Sequence, residues 1–165
     1  MFEKFDPRQG KQVQLLTPDG KLTDAAGDFP MMSDEDLVKA YKTMVETREA
    51  DDWAVSLQRQ GRMPTYAPNR GQEANATGAL MALNHDDWFV PTFRELGGWL
   101  TRGVPLRQIY LYFYGNEEGS RLNRDEYHSL PVSIPIASQL LHAVGVAWGE
   151  RFQKRDRISI GFVGD

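Results

Sequence analysis

From Ser33 onward the polar and apolar positions fall into a helical rhythm. SDED places Asp36 three residues after a Ser33 cap, and Leu37, Tyr41, Met44 and Val45 then recur at helical spacing. The pattern predicts a helix to about Gln60, stopped by Gly61. QGRMPTYAPNRG reads as a loop, and GQEANATGALMALN as a second helix whose Ala74 and Gly78, one turn apart, would let another backbone approach closely. DDWFVPTF is a short buried strand. RELGGWLTRG follows as a helix weakened by Gly97 and Gly98, and PLRQIYLYFYG as a helix with Pro105 at its first position and Gly115 at its stop. Residues 116–131 form a polar loop long enough to suggest a function of its own. The stretch 135–154 is helical, with Leu141, Val144, Gly145 and Trp148 on one face, and RISIGFVGD reads as a continuous apolar strand of the kind covered on both sides. Residues 1–32, rich in Pro and Gly, read as an extended arm with a turn at TPDGK. Helices alternating with a few apolar strands predict an α/β fold, a parallel sheet flanked by helices. In such a sheet the Gly-Asp after the last strand stands where ligand sites open.

Composition narrows the chemistry. With 165 residues, 41% hydrophobic and 25% charged, the chain suits one globular domain, and no apolar run approaches the roughly 20 residues of a membrane span. A formal charge of −4 argues against nucleic-acid binding. Arginine supplies 13 of the 19 basic residues, a bias that a thermophilic or high-GC source accounts for more simply than function. The absence of cysteine excludes disulfides and thiol catalysis, and MFEKFDPRQGKQ lacks the apolar core of a secretory signal, so a cytoplasmic location is expected. There is no GxxxxGK[ST] and no GxGxxG, and His85, His128 and His142 have no zinc-ligand spacing. Ser129 and Ser133 lie near His128 without a nucleophile elbow, which leaves a hydrolase unsupported.

Four blocks remain, in order: GRMPTYAPNRGQEA (61–74), VPTFRELGGWLTRGVP (90–105), SLPVSIPIASQLLHAVGVAWG (129–149) and the terminal GFVGD. Together they resemble the alpha subunit of the thiamine-diphosphate-dependent 2-oxo acid dehydrogenases, with LPVSIPIASQ looking closer to the pyruvate branch of Gram-positive type. The resemblance covers the chain from about residue 30, and its strength lies in four blocks in register rather than in any one motif.

The resemblance implies residues 33–165 as an incomplete thiamine-diphosphate-binding α/β domain, ending inside the family's GDG motif, behind the arm of residues 1–32. It implies that Arg94 grips the cofactor diphosphate, a task suited to a guanidinium fork; the plainer reading is an arginine capping a strand end. Phe93 departs from the family's tyrosine, so packing carries over and a phenolic hydrogen bond does not. Ile134 and Ile136 would line the aminopyrimidine, although periodicity alone makes them ordinary core. Gly164 and Asp165 belong to the diphosphate and magnesium motif, with Asp165 as the metal's carboxylate. Ser133, Ser138 and Gln139 match oxygen ligands of a potassium ion in some relatives, helix capping by Ser138 being the plainer reading. Thr65 and Tyr66 would face the substrate. The implied activity is oxidative decarboxylation of a 2-oxo acid, pyruvate first, with acyl transfer to a lipoyl group. The implied partners are a beta subunit, in a heterotetramer of two alpha and two beta chains, and the lipoyl acyltransferase component. The chain alone is expected to be inactive. The competing reading is a non-catalytic α/β binding or assembly domain.

Overall fold

The computed structural model describes residues 7–9 and 13–164. They fall into two compact units, one up to Leu37 and one from Val38 onward.

In the first unit the expected turn is present. Gly20 N donates to Thr17 O at 2.9 Å, and Gly20 takes the positive φ of 79° that a glycine adopts without strain. Leu16 and Leu22 face each other in an antiparallel bridge, and a 3-10 helix covers Asp24–Asp28. The Ser33 hydroxyl accepts from Asp36 N at 3.1 Å and donates to the Asp36 carboxylate at 2.7 Å, the cap expected for α1 (Asp34–Arg59).

The second unit contains α2 (Glu73–Met81), β1 (Trp88–Val90), α3 (Leu96–Thr101), α4 (Leu106–Phe113), α5 (Arg124–Tyr127), α6 (Ser138–Phe152) and β2 (Ser159–Gly161). It is an α/β arrangement with a small parallel sheet: β1 pairs with β2 in the register Phe89 to Ile160, and Ser129 bridges the other side of Phe89. Pro105 stands at the cap just before α4, and Gly115 ends that helix at φ 86°. Much of the expected polar loop is structured. A 3-10 helix at Glu117–Ser120 and α5 are capped by the side chains of Asn116 and Asn123, which accept from Glu118 N and Asp125 N.

The core gathers Ala54, Leu80, Phe89, Leu96, Trp99, Ile109 and Phe113. Close backbone approach occurs, but not at Ala74 and Gly78, which are exposed; a Cβ on Gly78 would meet nothing within 4 Å. The small residues that matter are in α3. A Cβ on Gly97 would lie 2.6 Å from Thr77 Oγ1, and one on Gly98 would lie 2.9 Å from the Phe89 ring. The glycines read as weakening this helix are what let it settle onto α2 and β1.

Two further features are set by packing. The apolar face of α6 points outward, with Leu141, Val144 and Trp148 exposed, while Gln139, Ala143 and Glu150 are buried. β2 is only half-buried, because among the described residues it pairs with β1 alone. Polar anchors hold this edge. Asp87, buried, accepts from Ile158 N at 2.7 Å and from Asn84 N at 2.8 Å, and Trp88 Nε1 donates to Glu150 at 3.0 Å. Buried Arg102 donates to the carbonyls of Asn84, His85 and Asp87, tying the approach to β1 onto α3. Among the described residues no helix is long and apolar enough to cross a membrane.

Candidate functional site

The carboxyl ends of β1 and β2 open onto a cavity of about 390 Å³. After β1 the chain turns sharply through Pro91–Glu95. Thr92 N and Oγ1 both donate to the Glu95 carboxylate, at 2.7 Å, and Leu96 N donates to Asn69 Oδ1 at 2.9 Å. Burial holds the Glu95 carboxyl above its ordinary range, against the opposing pull of those hydrogen bonds. The turn presents Phe93 and Arg94 to the cavity, and Phe162 to Gly164, leaving β2, form the facing rim. Arg94 is half-buried. Its Nε donates to Pro68 O at 2.8 Å, and its two Nη atoms have no hydrogen-bond partner among the described residues. Asp165 lies outside the described residues.

The segment 133–139 forms another wall. Ile134 and Ile136 line the cavity at 63% and 61% exposure, so neither is the core residue that periodicity suggests. Ser133 and Ser138 hydroxyls meet at 2.7 Å, and Ser138 Oγ also donates to Pro135 O at 2.7 Å. Gln139 is fully buried; its Nε2 donates to Ser133 O, and its Oε1, also buried, has no partner among the described residues. A buried carbonyl oxygen without a donor is costly and marks a place where a cation or a donor group would be welcome.

A second cavity of about 390 Å³ adjoins the first, sharing Phe93 and Ile134 with it, and is walled by Thr65, Tyr66, Tyr112 and Phe113. Thr65 is exposed on its rim. Tyr66 offers its ring, packed edge-on to Phe113 at 4.8 Å, while its hydroxyl donates to Asp51 at 2.7 Å. Burial and that acceptor push the phenol well above its ordinary pKa, so Tyr66 stays protonated and its proton is committed to Asp51. All the expected residues that the structure describes thus line one of two adjoining cavities or, for Ser133 and Ser138, the wall beside them.

Sequence reading missed the buried polar groups at and behind these walls: Glu95, which lines the first cavity, and Asp51, Asn69 and Glu73, which line neither. A signal existed for Asp51, since it occupies the same helical face as Thr47 and Ala54, both fully buried. Glu73 accepts from Arg48 Nε at 2.5 Å and from Gly71 N at 3.0 Å, and the Arg48 bond leads in holding its pKa down, to about 2. A carboxyl depressed on folding stabilises the fold fully above its unfolded pKa, near 4.5, and loses that contribution as pH falls towards about 2. Glu73→Gln should therefore flatten the acid limb of stability in that window; denaturant unfolding at stepped pH would show it, and unchanged slopes would mean that the pair is not formed.

The Dehydrogenase E1 component family matches residues 41–165. The chain is 40% identical over 153 residues to 3-methyl-2-oxobutanoate dehydrogenase subunit alpha of Mycobacterium tuberculosis, covering 93% of this chain and 41% of that protein. It is 43% identical over 136 residues to pyruvate dehydrogenase E1 component subunit alpha of Acholeplasma laidlawii, covering 82% and 39%. Against the subunit of the same name from Mycoplasma genitalium it is 37% identical over 165 residues, all of this chain and 42% of the relative. The chain belongs to the Dehydrogenase E1 component family. It spans about two-fifths of the length of the curated relatives it matches.

Proposed function

We propose that these residues form the alpha-subunit half of a thiamine diphosphate site in a 2-oxo acid dehydrogenase, which decarboxylates pyruvate oxidatively and passes the acyl group to a lipoyl carrier. The observation that carries this is the pair of adjoining cavities beyond the strand ends, one holding an arginine whose Nη atoms have no hydrogen-bond partner among the described residues, the other walled by Thr65, Tyr66 and aromatic rings. The residues present fit the cofactor. A guanidinium turned to the cavity suits a diphosphate, exposed Ile134 and Ile136 offer an apolar seat for the aminopyrimidine, and Phe93 packs between the two compartments without a phenolic donor. When bound, thiamine diphosphate supplies an electron sink for the bond to the departing carboxylate.

The chain's own residues then bind and orient. Arg94 offsets diphosphate charge, and Gly164 allows backbone to approach it. Asp165 gives magnesium one hard oxygen ligand. Ser133, Ser138 and Gln139 Oε1, buried and without a partner among the described residues, offer oxygen ligands to an ion of potassium type, which would answer the buried acceptor. Tyr66, with its proton held by Asp51, shapes the acyl compartment and does not exchange protons there. A beta subunit is proposed to complete the site and a lipoyl acyltransferase to receive the product. The outward apolar face of α6 supports a partner in either this reading or that of a non-catalytic assembly domain. An assay separates them: the subunit at its relatives' length, assembled with the beta subunit, should reduce an artificial electron acceptor in the presence of pyruvate, faster than with 3-methyl-2-oxobutanoate. Turnover with neither acid favours the assembly domain, and the reverse preference corrects the substrate.

A further inference from the structure

We infer that Asp51, which lines neither cavity, is a positioning residue that fixes the aim of Arg94; the inference rests on the cofactor reading above. Asp51 projects from α1 and is 1% exposed. One of its oxygens, Oδ1, accepts from the Tyr66 hydroxyl at 2.7 Å and from Asn69 N at 2.6 Å. The residues between those two anchors are Ala67 and Pro68. Asn69, itself 2% exposed, clamps both neighbours of interest: Nδ2 donates to Ala67 O at 3.0 Å, and Oδ1 accepts from Leu96 N at 2.9 Å. Pro68 O, held between the anchors, accepts from Arg94 Nε at 2.8 Å.

A guanidinium is a rigid planar fork, so fixing Nε fixes the direction of both Nη atoms. The Pro68 carbonyl therefore sets where Arg94 points, and a single carboxylate oxygen sets where Pro68 sits. Leu96 N ties the backbone two residues beyond Arg94 to the same assembly. The loop 66–69 has no regular secondary structure to place it. Without the Asp51 anchor the carbonyl would wander, and Arg94 would spend binding free energy on being ordered by its ligand. Thr65 and Tyr66, on the other cavity, lie at the near end of the same anchor, so one buried carboxylate registers the two compartments against each other.

The test is a double-mutant cycle in the full-length subunit assembled with its beta partner, titrated separately with thiamine diphosphate and with thiamine, which lacks the phosphates. Asp51→Ala should weaken thiamine diphosphate binding about tenfold, leave thiamine within about twofold, and cost almost nothing further when Arg94 is already alanine, because contacting or relayed residues couple where independent ones add. Asp51→Asn, which retains an Oδ1 acceptor for both donors, should recover most of the loss. Should the alanine variant fail to fold, Asp51→Ser keeps the pocket polar while being too short to span both donors, and the same cycle applies. Additive losses from Asp51 and Arg94, or an equal loss for thiamine, would overturn the relay alone. A parent protein that binds thiamine diphosphate no better than thiamine would overturn the cofactor reading itself.

Discussion

Arg94→Ala is expected to lower the affinity for thiamine diphosphate ten- to hundredfold while leaving the fold close to intact. Removing a charged donor from an anion costs about 1.5 to 3 kcal/mol, and each 1.4 kcal/mol is roughly a factor of ten in dissociation constant. The structural cost is smaller. Arg94 is half-buried, and its one hydrogen bond among the described residues runs to a loop carbonyl, a contact of about 0.5 to 1.5 kcal/mol. Titrating the cofactor into parent and variant by tryptophan quenching, in the assembled enzyme, measures the first effect, and thermal unfolding the second. Equal dissociation constants with a lowered melting temperature would make Arg94 a loop tie and nothing more. Phe93→Tyr is the companion: restoring a phenol at the boundary of the two cavities should be neutral or slightly tighten binding.

Among the described glycines, Gly119→Ala should be the most damaging exchange for alanine. Its Cβ would stand 2.0 Å from Tyr112 N, 2.4 Å from Tyr112 Cα and 2.6 Å from Leu111 C, all of them backbone atoms of α4 that no rotamer change can clear. The 3-10 helix Glu117–Ser120 is pinned there by Gln108, whose Nε2 donates to Glu118 O at 2.6 Å and to Arg121 O at 3.1 Å. Accommodating the methyl means prising these elements apart, at about 3 kcal/mol or more, the upper end of overpacking costs. For a chain of this size that lowers the melting temperature by about 6 to 12 °C. Gly145→Ala is the control, since its Cβ would meet nothing within 4 Å and it lies inside α6. There the gain in helix propensity, about 0.5 to 1 kcal/mol, should raise the melting temperature slightly. Equal melting temperatures for Gly119→Ala and the parent would contradict the packing described.

What the sequence made legible was local. Caps and breakers at Ser33, Gly61, Pro105 and Gly115 mark helix ends through short-range geometry that needs no tertiary context, and the helices begin and end within a few residues of them. The strand-end location of the site follows from parallel-sheet topology, and the resemblance supplied the residues at its rim. What remained hidden depends on which surfaces meet. Leu141, Val144 and Trp148 form as good an apolar stripe as any, yet α6 turns Gln139, Ala143 and Glu150 inward, towards polar anchors that no hydrophobic pattern encodes. Gly97 and Gly98 look like helix breakers until Thr77 and Phe89 are seen against them, whereas Ala74 and Gly78 show the small-residue spacing and face open space. Asp51 and Glu73 carry charge on sequence positions that a helical wheel gives to the core, and only their partners Tyr66, Asn69 and Arg48 explain why the charge is tolerated.

In the proposed function, the cavity at the ends of β1 and β2 receives the cofactor diphosphate through Arg94. A crystal structure of the subunit at its relatives' length, with the proposed beta subunit, magnesium and thiamine diphosphate, would decide this. Diphosphate oxygens are expected within hydrogen-bond distance of the Arg94 Nη atoms, with Nε still on Pro68 O, the aminopyrimidine against Ile136, and Asp165 on the metal. A cofactor bound elsewhere, with Arg94 engaged only by Pro68, would contradict it.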